Sequence, residues 1–266
     1  MPLTLDGDSS ARWPDPPGPR WVAETVAEWF SAHARVFPWR WKADPYMVLV
    51  TEILLQRTRA QTVASAHAEF FQRWPDPRLL AASGEAGLES FLANLGLRYR
   101  AGRLRSIAHS IVLHHGGHVP ADAEALLRLP GVGPYIASAT LAFGHLVAVP
   151  VVDRNVMSVL ARHAGVTRET EARGLVAHLY RHAEHRVIAY GLIDMGATVC
   201  TPRGCACPLS ARCPRFHAPP SAWRMLRKTV RAGRVRLSEQ PVTPGHRRAA
   251  MEPTPKARAS GVAEGR

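Results

Sequence analysis

The chain has 266 residues, 46% hydrophobic and 7% aromatic, an ordinary globular share with room for one sizeable core or two modest ones. No apolar run reaches the roughly 18 residues a membrane helix needs, and Met1 to Arg20 is polar and proline-rich without a signal-peptide core, which argues against membrane or secreted classes. The net charge of +13 points to an acidic partner such as nucleic acid, but +9 of it falls between Pro214 and Arg266, leaving +4 for the rest.

Taken in chain order, the pattern predicts helices and no strands. Val22, Val26, Trp29 and Phe30 lie on one face of a helix over Trp21 to Val36. Asp44-Pro45 reads as an N-cap with proline at the first helical position, opening Tyr46 to Leu55, which is apolar nearly all round. Thr58 to Trp74 forms the next helix, stopped by Pro75-Asp76-Pro77. Ala101 to His115 ends at Gly116-Gly117, with two histidines in the last turn where the helix dipole favours positive charge. Asp122 to Leu129, Tyr135 to Phe143, Arg154 to His163, Glu169 to His182 and Val187 to Val199 complete the set. No internal repeat is present, and after Trp223 the chain becomes Arg/Pro/Gly/Ala-rich without period, the composition of a disordered tail.

Leu129-Pro130-Gly131-Val132-Gly133 stands between two of these helices. Two glycines around one small residue allow a tight hairpin whose backbone N–H groups, at the start of the next helix, suit a phosphate; a plain helix–helix turn is the alternative. Some twenty residues on, a Gly/Pro-containing loop from Phe143 to Pro150 leads through Val151-Val152 to Asp153, which is either a helix N-cap or a site carboxylate. Glu52 lies between Val48-Leu49-Val50 and Ile53-Leu54-Leu55 on a helix expected to be buried, where an unpaired carboxylate is costly and its pKa rises; it is a candidate general acid or a structurally paired Glu. All four cysteines, Cys200, Cys205, Cys207 and Cys213, fall within 14 residues, a spacing that suits one compact metal centre better than a zinc ribbon.

Together, the hairpin, the following Asp153, the cysteines, Pro38-Trp39-Arg40, Asp44-Pro45-Tyr46, the run Thr51 to Thr58 and Leu95-Gly96-Leu97 resemble the helix-hairpin-helix DNA glycosylases, the superfamily of endonuclease III and the adenine and thymine/uracil mismatch enzymes. The resemblance covers most of Phe37 to Cys213. It implies an all-α fold of two helical lobes: a barrel-like lobe over 41–150, and an iron–sulfur lobe formed by 20–40 plus 151–216. Residues 1–19 are expected to form a disordered segment and 217–266 a basic, disordered tail. It implies base flipping and hydrolysis of the glycosidic bond, with Asp153 stabilising the oxocarbenium-like sugar and orienting the water. Gln56, Arg57, Arg98, Gly131, Val132 and Gly133 would meet double-stranded DNA carrying a mismatched base. The four cysteines would hold a structural [4Fe–4S] cluster, although the spacing of four, one and five intervening residues shortens the family's first two gaps; zinc is the alternative.

Within that superfamily, Tyr135 occupies the position of endonuclease III's Schiff-base lysine, and the only lysines are Lys42, Lys228 and Lys256, which implies no lyase activity. Gln56-Arg57 is a hybrid: the adenine enzymes have two glutamines there and the thymine type two arginines. Tyr135, with the matching tyrosine of the thymine–guanine branch stacking in the base pocket, and the short C-terminal remainder favour thymine or uracil opposite guanine over adenine. An adenine mismatch enzyme, a catalytically silent DNA-binding module and an iron–sulfur regulator are the competing readings. A cytoplasmic, nucleoid-associated monomer is expected.

Overall fold

The computed structural model describes residues 18–201 and 206–213. The expectations for residues 1–17, Cys205 and the basic tail lie outside them; the last two residues of the expected N-terminal segment are ordered instead, with Gly18 at the N-cap and Pro19 opening the first helix. Eleven helices run through the described residues, with no β-strand among them, as an all-α fold requires. They are α1 (Pro19–His33), α2 (Pro45–Leu55), α3 (Ala60–Arg73), α4 (Pro77–Ala82), α5 (Glu85–Ala93), α6 (Ala101–His115), α7 (Ala123–Arg128), α8 (Pro134–Ala139), α9 (Arg154–Ala164), α10 (Glu169–Leu179) and α11 (His185–Thr198).

Most of the expected boundaries hold to within a few residues. Asp44 caps α2 by accepting from the Met47 N–H at 3.0 Å, and Gly116 closes α6 in the left-handed region at φ 61°. Two helices were not expected. Pro75-Asp76-Pro77 ends α3 and also starts α4, because the Asp76 carboxylate accepts from the N–H groups of Arg78 at 2.7 Å and Leu79 at 2.9 Å, with Pro77 at the first helical position. After Gly84, α5 buries Leu88, Phe91 and Leu92.

The expected helix over Tyr135 to Phe143 divides in two. Past Ala139 it widens into a π-helical turn, Thr140–Gly144, and the Thr140 hydroxyl donates to the Ile136 carbonyl at 2.8 Å. The turn lies directly on the start of α2, and a Cβ on Gly144 would stand 2.6 Å from the Pro45 Cα. This close approach sets α8 beside α2.

Buried side chains gather in three groups. The first fills the space among α2 to α8 with Leu49, Ile53, Phe70, Leu88, Leu104, Ile111, Leu126 and Ile136. The second joins α1 to α9, α10 and α11 through Val22, Val26, Val156, Leu160, Val176 and Leu192. A smaller third group (Phe30, Val48, Ala142, Phe143, Val151 and Tyr190) connects them. Each fully buried Leu or Ile contributes about 1.5–3 kcal/mol. α2 serves the first group with Leu49 and the third with Val48, which is why its sequence is apolar nearly all round.

Candidate active site

Glu52, Tyr135 and Asp153 meet beside the first and third groups of buried side chains, against both of which Tyr135 packs. α2 delivers Glu52, only 8% exposed, and α8 delivers Tyr135, whose hydroxyl is hydrogen-bonded to the Glu52 carboxyl. Asp153 arrives on the buried segment Val151-Val152, which the hydroxyl of Tyr180, just past the end of α10, fixes by accepting from the Val151 N–H at 3.3 Å. Both Asp153 oxygens are held: Oδ1 accepts from the Val156 N–H at 2.7 Å and Oδ2 from the Asn155 amide at 2.8 Å. Asp153 is therefore the N-cap of α9 and also a neighbour of Glu52, so the two readings of this residue are compatible. The seating is tight, since a Cβ on Gly196 of α11 would lie 2.6 Å from the Asn155 carbonyl oxygen.

The two carboxyl groups are not equivalent. Burial pushes the Glu52 pKa up to about 7; the Tyr135 hydrogen bond opposes this, the Asp153 charge adds to it, and Arg40 opposes it. At neutral pH a substantial share of Glu52 carries a proton. Burial also raises Asp153, but the hydrogen bonds from Val156 and Asn155 and the charge of Arg35 act to keep it ionised. Burial, with Glu52 and Asp153 nearby, holds the Tyr135 phenol well above its ordinary range, so it stays a neutral donor. A protonated acid, a fixed carboxylate and a phenol together can protonate a leaving group and stabilise positive charge developing beside it.

A second cluster lies behind this one, and its members had been given no role from sequence. Asp194 of α11 is fully buried and accepts from Arg40 at 2.7 Å on both oxygens, from the Arg35 Nε at 2.6 Å and from the Arg35 backbone N–H at 3.0 Å. The Arg40 guanidinium lies 4.6 Å from the Tyr190 ring centroid, and Tyr190 stacks on Phe143 at 4.2 Å. Asp194 sends the same signal as Glu52, an acid in the apolar run Leu192-Ile193-Asp194-Met195; only its partners, more than 150 residues away, were illegible.

The expected DNA-contacting residues separate. Gln56, at the end of α2, accepts through Oε1 from Arg103 at 2.8 Å, and Arg103 also donates to the Gly131 carbonyl, so Gln56 and the hairpin share one arginine. Gly131 has φ 70° and Gly133 begins α8, while Val132 is buried between them. Arg57 is exposed with φ 56°, an uncommon conformation for a side-chain-bearing residue. Arg98 is exposed beside Tyr99 in a surface hollow with Glu89 and Gly102.

Cys200, Cys207 and Cys213 are buried. Cys200 and Cys213 meet Arg162 of α9, which donates to the Cys200 carbonyl and lies 3.5 Å from its Sγ, while Cys213 Sγ is 3.6 Å from the Arg162 carbonyl. A guanidinium against sulfur favours the thiolate, the form that binds metal, so the donor chemistry fits a thiolate-ligated centre. Among the described residues, no three of His, Cys, Asp and Glu come close enough to hold a metal ion.

Residues 50–180 match the model of the HhH-GPD superfamily of base excision DNA repair proteins. The adenine DNA glycosylase of Mycobacterium tuberculosis is 35% identical over 254 residues, covering 86% of this chain and 84% of that one. The thymine-DNA glycosylase of Aeropyrum pernix is 33% identical over 200 residues, covering 71% and 88%. Among solved structures, a thermostable thymine-DNA glycosylase superposes with a TM-score of 0.70 at 29% identity, over 75% of this chain and 97% of that one.

Proposed function

We propose that this chain, which belongs to the HhH-GPD superfamily of base excision DNA repair proteins and is a DNA N-glycosylase, removes thymine or uracil mispaired with guanine and leaves the abasic strand intact. The observation that carries the base assignment is Tyr135, a tyrosine hydrogen-bonded to Glu52 where a lyase presents its lysine. A phenol there stacks on a flipped pyrimidine and offers its hydroxyl to a carbonyl edge, whereas a small hydroxyl residue leaves room for a purine. Lys42, the one lysine among the described residues, is exposed, so none of the described residues offers the buried site a lysine amine for a Schiff base.

In this reading Asp153 stabilises the sugar as positive charge develops and orients the water that attacks it. Glu52, with its pKa near 7, supplies a proton toward the departing base, with Tyr135 holding its carboxyl in place. The mismatch itself assists, because a poorly paired base is the cheapest to extrude. Gln56 and Arg57 fill the gap that it leaves, and an arginine there can pair with the orphan guanine for about 1–3 kcal/mol of discrimination. The hairpin Gly131-Val132-Gly133 takes a backbone phosphate.

Cys200, Cys205, Cys207 and Cys213 would hold a [4Fe–4S] cluster that braces the fold; glycosidic hydrolysis needs no electron transfer. Purified protein is expected to absorb at about 400 nm and to contain about four irons per chain. Stoichiometric zinc without iron after anaerobic purification would refute this.

Excision of adenine opposite guanine or 8-oxoguanine is the second reading, favoured by the similarity to the mycobacterial adenine enzyme and by Gln56. Single-turnover assays on T·G, U·G, A·G and A·8-oxoguanine duplexes decide between them. Thymine and uracil are expected to leave faster than adenine, with no complex trapped by borohydride. Faster adenine release overturns the base assignment.

A further inference from the structure

We propose that Asp194 is a positioning residue for the hydrolytic step: from α11 it holds Arg40 and Arg35 so that one guanidinium acts on each carboxylate of the site. Asp194 is fully buried and touches neither Glu52 nor Asp153 in any hydrogen bond; every bond its carboxylate accepts comes from the two arginines. Arg40 is 7% exposed, bidentate to Asp194 at 2.7 Å, and bonded to the Arg35 carbonyl at 3.0 Å. Each arginine then faces a different acid: the charge of Arg40 favours ionised Glu52, and that of Arg35 favours ionised Asp153.

The other groups around these acids are few. Tyr135 from α8 and the Asp153 carboxyl face Glu52, and Asn155 with the Val156 N–H faces Asp153. Tyr190 feels both Glu52 and Arg40, with Arg186 and Glu184 beyond it. Of the acids in this set, Asp194 is the one hydrogen-bonded to both arginines, and its charge offsets theirs. It therefore limits how far they pull protons off the acids.

The sign follows from charge. Removing the negative charge of Asp194 strengthens the field of Arg40 at Glu52 and of Arg35 at Asp153, so both acids ionise at lower pH. Removing the Arg40 guanidinium does the reverse to Glu52. The inference rests on Glu52 acting as the acid, but on neither choice of base.

Single-turnover rates should be measured from about pH 5 to 9 on whichever mismatch the wild type cleaves, for wild type, Asp194→Asn, Arg40→Gln and Glu52→Gln. Asp194→Asn should move the alkaline limb toward acid by about one pH unit, a tenfold loss at about pH 8 with little change near about pH 5.5. Arg40→Gln should move the limb the other way. Limbs that stay in place while rates fall evenly at every pH would reduce Asp194 to a structural role and overturn the inference. If Asp194→Asn does not fold, the direction of the Arg40→Gln shift decides alone. Glu52→Gln separates the two levels: a limb that survives it refutes Glu52 as the acid, whereas a limb that it abolishes but Asp194→Asn leaves unmoved refutes only the role of Asp194.

Discussion

Glu52 on α2 and Asp194 on α11 are both buried acids in apolar helices, yet their carboxyls move in opposite directions. Asp194 faces two guanidiniums in bidentate and end-on geometry, and their hydrogen bonds hold it below the usual carboxylate range despite its burial. Against burial and a neighbouring carboxylate, Glu52 has one phenol and the charge of Arg40, and burial prevails. Two buried acids thus take opposite protonation, and the difference separates a structural acid from a chemical one. A fully compensated charge fixes geometry and has no proton to give at neutral pH. An under-compensated one destabilises the fold and is chemically useful for that reason.

The largest expected effect belongs to Asp153, the acid that both caps a helix and faces Glu52. Asp153→Asn keeps the cap's acceptor oxygen and loses the charge. It is expected to bind mismatched duplex normally and to lose at least about a thousandfold in single-turnover rate, because the charge acts only once the sugar becomes positive. A near-normal rate would leave Asp153 as a cap and nothing more.

Next come the two buried acids, which should fail in different assays. Glu52→Gln is expected to lower the rate by about 10²–10⁴-fold, the usual range for a general acid, and to leave the fold intact. Asp194→Ala strands two guanidiniums and is expected to cost about 3–5 kcal/mol of stability by denaturant titration. If the alanine variant unfolds as the wild type does, the compensation described for Asp194 is illusory.

The same contrast has a pH dependence. The folded-state pKa of Glu52 lies above its unfolded value, so the native state binds the extra proton between about pH 4.5 and 7 and loses stability as pH rises through that window. Glu52→Gln is therefore expected to stabilise the protein by about 3 kcal/mol at pH 8 relative to its effect at pH 4.5. His67 acts with the opposite sign. It is 3% exposed, packed against Trp39 and Phe71, and its pKa is lowered to about 4 by burial and then by Lys42. A depressed base contributes stability above its unfolded pKa of about 6.5 that is lost as pH falls toward 4. Wild type should weaken on both sides, and His67→Phe should remove only the acidic part.

Much of this was legible in the sequence, for reasons the structure makes plain. Asp44-Pro45, Gly116-Gly117 and Pro130-Gly131-Val132-Gly133 are local signals, read within one turn of the chain. Glu52 was legible because a charge in an apolar run is anomalous wherever its partners lie. The double use of Pro75-Asp76-Pro77 was missed because a proline reads equally well as a stop and as a first helical residue. The π-helical turn after Ala139 depends on how closely Gly144 approaches Pro45, and the Asp194 cluster on contacts across 154 to 159 residues; neither leaves a trace in a local window.

The smallest expected effect tests whether Glu52 is special or whether any buried polar group on α2 behaves as it does. Thr51 precedes it, is 1% exposed, and its hydroxyl meets no hydrogen-bond partner among the described residues. It carries no charge, so its burial costs only the desolvation of a hydroxyl, about 1–3 kcal/mol when nothing compensates. Thr51→Val keeps the shape and removes that group, so stability is expected to hold or rise by about 1 kcal/mol, identically at pH 4.5 and 8. The cleavage rate and its alkaline limb should not move, since the γ-methyl takes up the space of the hydroxyl and α2 keeps its place. A limb displaced by Thr51→Val would mean that packing around α2, and not charge around Glu52, sets where the acid titrates.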